Sequence, residues 1–207
     1  MLGAMGDAGL RRELASLGAL EHAVRERLYS VGSAGTRALA VSALAAAAAE
    51  RAYARSETVP ESRNETSDLW HAHLADVWGY LEGDLARHRA LSTAIADFLV
   101  SPLNHTDGQD GPDDFDRPQT IAGYSAVASV VLWGVDFATT AVAQLFELID
   151  LEYDGDHPPG REDEVRGERH WVMEACTTVV SASSVGGSGV TPTVLARLRQ
   201  RGPWPQG

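Results

Sequence analysis

Two stretches of this chain carry side chains able to do chemistry together. Glu50-Arg51 closes an alanine-rich run, and Glu168-Arg169 borders a stripe of Val165, Val172 and Cys176. At helical spacing Glu50 lies on one stripe with Leu39, Ala43, Ala46 and Ala54, where small side chains let another helix come close. A carboxylate in such a place needs a cation or several donors. Glu168 and Arg169 flank their apolar stripe while Glu174 projects away. They are therefore the expected partners of Glu50, Arg51 or the acidic cluster Asp113-Asp114-Phe115-Asp116. Together with Trp78, the residues Glu50, Arg51, Asp113, Asp116, Glu168 and Arg169 would line an acidic and arginine-rich cleft. The favoured reading of the same residues is a polar network that locks helix ends.

Other chemistries lack their residues. His71 and His73 look like a metal pair, but residues two apart on a helix point away from each other. Asp68 with His71, or Asp84 with His88, could pair along a helix. A di-metal carboxylate bundle needs Glu-x-x-His on two helices, and neither that motif nor His-Glu-x-x-His occurs. Asp154-Gly155-Asp156-His157 lacks the closing glutamate of a calcium loop. There is no Gly-x-Ser-x-Gly elbow. The Ser181–Gly189 stretch follows a helix rather than a strand and has no lysine, unlike a phosphate-binding loop. Cys176 falls on an inward face among valines, a structural position. No metal or cofactor is expected.

The elements that would position these residues are all helices. Leu14, Leu17, Val24 and Leu28 share a face over 10–31, and Gly32-Ser33-Ala34-Gly35 breaks that helix. Thr36 opens an alanine-rich helix to about Arg55. Ser67 or Asp68 caps a third helix, whose core stripe is Trp70, Leu74, Val77, Trp78, Leu81 and Leu85. Gly83-Asp84 kinks it before Leu91, Ile95, Phe98 and Leu99 carry it to Pro102. The aspartates at 113–116 and Pro118 mark the start of a long apolar run from Ile121 to Ile149, since acids offset the first turn and proline loses no bond there. Val127, Val130, Trp133, Phe137 and Leu148 make that run apolar all round, as in a central helix or helix pair. Asp136, alone between Val135 and Phe137, should lie at a helix edge in water or pair with an arginine. A helix over 162–181, a flexible linker, a short basic helix from Thr191-Pro192 and a tail complete the chain. The spacing predicts an all-α bundle of about six to eight helices around a buried central helix, with 1–185 as the helical domain and 186–207 as linker, short helix and tail.

Composition bounds the partners. The 207 residues carry a net charge of -12, which argues against a nucleic-acid backbone and suits a basic protein partner. One cysteine permits no internal disulfide, and Met1–Gly9 has no basic segment before an apolar core, so a cytoplasmic location is expected. The uncharged stretch from Ile121 to Val135 falls short of the ~20 residues a membrane span needs, and no membrane association is expected.

The order of features resembles the YjaG-like family of bacterial helical proteins, a domain of unknown function. The Glu50-Arg51-Ala52-Tyr53 helix end, the Asp68-Leu69-Trp70 and Trp78 helix, the Pro112–Asp116 helix start and the late helix with Glu168 and Glu174 carry the resemblance over roughly 35–180. The chain departs from the family pattern at Ala54-Arg55-Ser56 and at Ile121–Ser125. The resemblance implies a single all-helical cytoplasmic domain without an established activity, cofactor or substrate. The expected function is a non-catalytic protein-binding module, an adaptor or a neutraliser of a basic partner. The alternative is an enzyme or small-ligand protein using the acidic and arginine-lined cleft.

Overall fold

Alanine has the highest helix propensity and the smallest side chain that still closes a helix surface, and the fold uses both properties at its centre. In the computed structural model, which describes residues 16–57, 65–100, 117–151, 161–184 and 189–199, every residue from 40 to 49 is buried. They belong to α2 (Ala34–Ser56), which follows α1 (Leu17–Tyr29) and is capped by Ser33, whose side chain accepts from the Thr36 N–H at 3.1 Å. The remaining helices are α3 (Glu65–Leu81), α4 (Arg87–Val100), α5 (Pro118–Leu132), α6 (Val135–Leu151), α7 (Arg161–Ser184) and α8 (Pro192–Arg199). No strand occurs among the described residues. The protein is an all-α helical bundle, and α2 packs against α1, α3, α5, α6, α7 and α8.

The long apolar run divides into two helices, α5 and α6, which pack against each other. Pro118 opens α5, and Trp133 ends it with φ +58° and ψ +33°, its N–H reaching the Ser129 carbonyl at 3.2 Å. Because the chain turns there, Trp133 is 64% exposed rather than part of the apolar surround that its spacing predicts. The Asp113–Asp116 cluster lies outside the described residues; the N-cap position of α5 is Arg117. Asp136, in the first turn of α6, has a 74% exposed side chain and pairs with Arg25 at 2.8 Å. Both conditions expected of a lone acid in that run are met.

A second correction concerns Gly83. Instead of kinking one helix it separates α3 from α4, at φ +106°, with the Asp84 N–H on the Gly79 carbonyl (2.9 Å) and the Gly83 N–H on the Tyr80 carbonyl (3.0 Å). That pair of bonds is the glycine-terminated helix end in which a left-handed residue satisfies the last carbonyls. Trp70, Leu74, Val77, Trp78 and Leu81 are buried as the stripe requires, but Leu85, beyond the turn, is 73% exposed. Asp84 pairs with Arg87 at 3.1 Å and accepts from the Ala86 N–H, so it serves the start of α4 rather than His88. Ser67 is buried inside α3 and does not cap it, since the helix begins at Glu65.

Where α5 crosses α2 and α3 the helices come close enough to require a residue without a side chain. A Cβ on Gly123 would lie 2.7 Å from the Tyr53 hydroxyl and 2.9 Å from Trp70 Cβ. Trp70 meets Phe98 and Tyr124 edge to face, each with ring centroids 5.3 Å apart, and Tyr53 stacks on His71 at 4.4 Å while donating to the Ser67 carbonyl at 2.8 Å. On the far side of α2, α7 contributes Val165, Val172, Cys176 and Val179 to the core, all buried. The short α8 docks Leu195 and Leu198 against α2 and α7.

Candidate functional site

The C-terminal half of α2 faces the N-terminal half of α7 in opposite chain directions, and this places four charges in register. Arg51 donates to both oxygens of Glu168, Nε to Oε2 at 2.5 Å and Nη2 to Oε1 at 2.7 Å. One turn further along α2, Arg55 pairs with Glu164, one turn back along α7, at 2.6 Å. These are ladder positions: an arginine every four residues on one helix meets a glutamate every four on the other. Each charge also sits well in its own helix, because Arg55 is in the last turn of α2 and Glu164 in the first turn of α7. Burial is deep. The side chains of Arg51 and Glu168 are 10% and 4% exposed, and those of Arg55 and Glu164 are 3% and 15% exposed. The Arg51 guanidinium also lies 4.6 Å from the centre of the Trp171 ring, a cation–π contact that strengthens as water is removed.

A second group adjoins the first. The indole N–H of Trp78 donates to Glu50 Oε1 at 2.7 Å, tying α3 to α2. The guanidinium of Arg199, from the last turn of α8, covers the Trp78 ring at 5.0 Å and reaches Glu82 at 3.3 Å. Glu50 and Arg51 are neighbours in sequence but point to different helices, one toward α3 and the other toward α7.

Of the residues expected to line a cleft, Arg51 meets Glu168 and Glu50 meets Trp78. Arg169 is partly buried on the same helix. Asp113 and Asp116 fall outside the described residues. Sequence reasoning missed Arg55, Glu164, Trp171 and Arg199. The signal for the first two was present: Arg51 and Arg55 on one helix, and Glu164 and Glu168 on another, each repeat after one turn. Among the described residues no three His, Cys, Asp or Glu side chains gather as a metal site. His71 stacks on Tyr53, and His73 lies 3.3 Å from Asp76.

Cys176 is buried against α1, its Sγ 4.0 Å from the Val24 carbonyl oxygen. Burial pushes its thiol up to about 11, with Arg27 pulling weakly the other way. The folded state therefore holds this proton where an exposed thiol would release it. Between pH ~8.5 and about 11 the unfolded chain binds fewer protons than the folded one, so stability falls as pH rises through that window. Iodoacetamide at pH 8 should label Cys176 slowly in buffer and quickly in denaturant. Equal rates in the two conditions would show that the thiol is open to solvent.

No family model, curated protein or solved structure matches this chain. Among the described residues no helix is long and apolar enough to cross a membrane.

Proposed function

We propose that the protein is a non-catalytic binding module for a basic protein. The observation that carries this reading is the closure of the arginine–glutamate groups on one another. Arg51 with Glu168 and Arg55 with Glu164 are neutral as units and are withdrawn from solvent. The excess of 12 negative charges in the chain therefore belongs to residues outside those two pairs, where it attracts cations over a Debye length of ~8–10 Å. A catalytic cleft would instead need an ionised group held ready for substrate. In this network each carboxylate already accepts from an arginine or an indole, which supports a locking role. The resemblance to YjaG-like proteins belongs to the same proposal, as does a cytoplasmic setting.

Association with a cationic partner should weaken steeply with salt. Purified from its native host at low ionic strength, the protein should co-elute with a basic protein and separate from it near ~0.5 M salt, where screening shortens to ~4 Å. Elution alone at low salt, or a complex indifferent to salt, overturns the charge-based reading.

A further inference from the structure

Away from the ion-pair ladder, the start of α2, the α3–α4 turn, the end of α5 and the entry to α8 surround a hollow of about 520 Å³. Its size falls within the ~300–1,000 Å³ range of small-molecule sites. The space exists because α2 presents Ala34, Gly35 and Ala38 at this point, with Leu39, Leu81 and Val130 forming apolar walls. A Cβ built on Gly35 would touch nothing within 4 Å. Two large apolar side chains at the mouth remain in water: Leu85, carried outward by the Gly83 turn, and Trp133.

Trp133 supplies a second, independent observation. Among the described residues it is the one non-glycine with positive φ, at +58°. Glycine is the ordinary occupant of such a helix end, and a bulky residue held there is a strained choice of the kind that collects at ligand clamps. The strain gains no core packing, since the side chain is mostly exposed. It does place an indole at the rim of a hollow.

We propose that this hollow binds a small, uncharged, largely apolar molecule, with Trp133 and Leu85 closing on it. The lining decides the charge of the ligand. Among the described lining residues Glu82 is the one ionisable acid or base of ordinary pH range, and its carboxylate is shared with Arg199 at 3.3 Å. Among the described residues the lining holds no cation to pair with an anion, and the half-exposed Glu82 carboxylate, only partly offset by Arg199, disfavours one. This proposal stands or falls independently of the basic-partner reading.

The neutral fluorophore N-phenyl-1-naphthylamine, titrated into the full chain, should show a saturable, single-site rise in emission. Ala38→Phe, which fills the hollow, and Trp133→Gly, which removes one jaw, should each weaken binding ~10-fold or more, equivalent to about 1.4 kcal/mol. Trp133→Gly should do so with melting temperature unchanged or raised, because glycine is at ease at this φ. The anionic analogue anilinonaphthalene sulfonate should bind the native chain more weakly than the neutral probe, and Glu82→Gln should narrow that gap. If Ala38→Phe fails to fold, Trp133→Gly decides the matter from the surface. Non-saturating emission, or equal affinity in native protein and Trp133→Gly, overturns the proposal.

Discussion

Glu168→Ala is expected to lower stability by ~3–5 kcal/mol, the cost of breaking a buried ion pair by removing one partner. In a domain of this size that is a fall in melting temperature on the order of 10 °C. The guanidinium of Arg51, 10% exposed and held from two sides by Glu168 and the Trp171 face, would lose both bonds of its bidentate contact. Arg51→Ala should cost a similar amount, through an unpaired carboxylate and a lost aromatic contact. The combined replacement Arg51→Met with Glu168→Leu should recover most of the loss, because apolar residues of similar volume need neither water nor a partner. Thermal melts of the two single variants and the double variant decide between lock and site. A locking pair gives two unstable singles and a stable double that keeps its partner. If Glu168→Ala melts like the native chain, the pair is more open to water than its geometry implies. If the stable double variant no longer binds, the ladder is part of a functional surface.

How far the sequence disclosed this arrangement depends on the kind of signal each residue carries. Helical period placed Val165, Val172, Cys176 and Val179 inward, and all four are buried. It also put Glu50, Glu168 and Arg169 beside apolar stripes, because a stripe is a local property of one helix. What period does not contain is which helices face each other and in what direction. The Arg55–Glu164 rung depends on that, since it exists only when α2 and α7 run in opposite senses with one particular offset. Arg199 was harder still, for its role depends on the place where an eight-residue helix docks.

The misplaced residues fail for a related reason. Leu85 and Trp133 are spaced as core residues, but each stands just past a helix end where a single backbone torsion redirects the chain. At Gly83 the residue type announces that torsion. At Trp133 it does not, because tryptophan is among the last residues expected in a left-handed conformation. The apolar run likewise suggested a centre of the fold at 121–149. The centre is shared with α2, whose alanines score low for hydrophobic bulk yet let six helices approach one axis. Small size, more than apolarity, decides which helix can be surrounded.

Gly123 tests that principle at the closest point of approach. Gly123→Ala is expected to destabilise the protein by ~1–3 kcal/mol, even though alanine favours a helix over glycine by about 1 kcal/mol. The added methyl would meet Tyr53 Oη at 2.7 Å, Trp70 Cβ at 2.9 Å and Tyr53 Cε2 at 3.1 Å. None of these atoms can retreat cheaply. Trp70 Cβ is bonded directly to the α3 backbone, and its ring is wedged against Phe98 and Tyr124. Tyr53 is held by its bond to the Ser67 carbonyl and by the His71 ring. Relief therefore requires α5 to shift away from α2 and α3 as a body. The Tyr53 hydroxyl makes the effect separable. Tyr53→Phe alone should cost ~1 kcal/mol by losing the bond to Ser67, but in the Gly123→Ala background it also removes the nearest clashing atom. The double variant should be more stable than the sum of the two single losses implies, by ~0.5 kcal/mol or more. The Trp70 contact would remain, so the recovery should be partial. Urea unfolding of the four proteins measures the coupling. If Gly123→Ala is neutral or stabilising, or the two losses simply add, then the crossing is looser than these distances state and alanine, not glycine, sets how closely α5 packs.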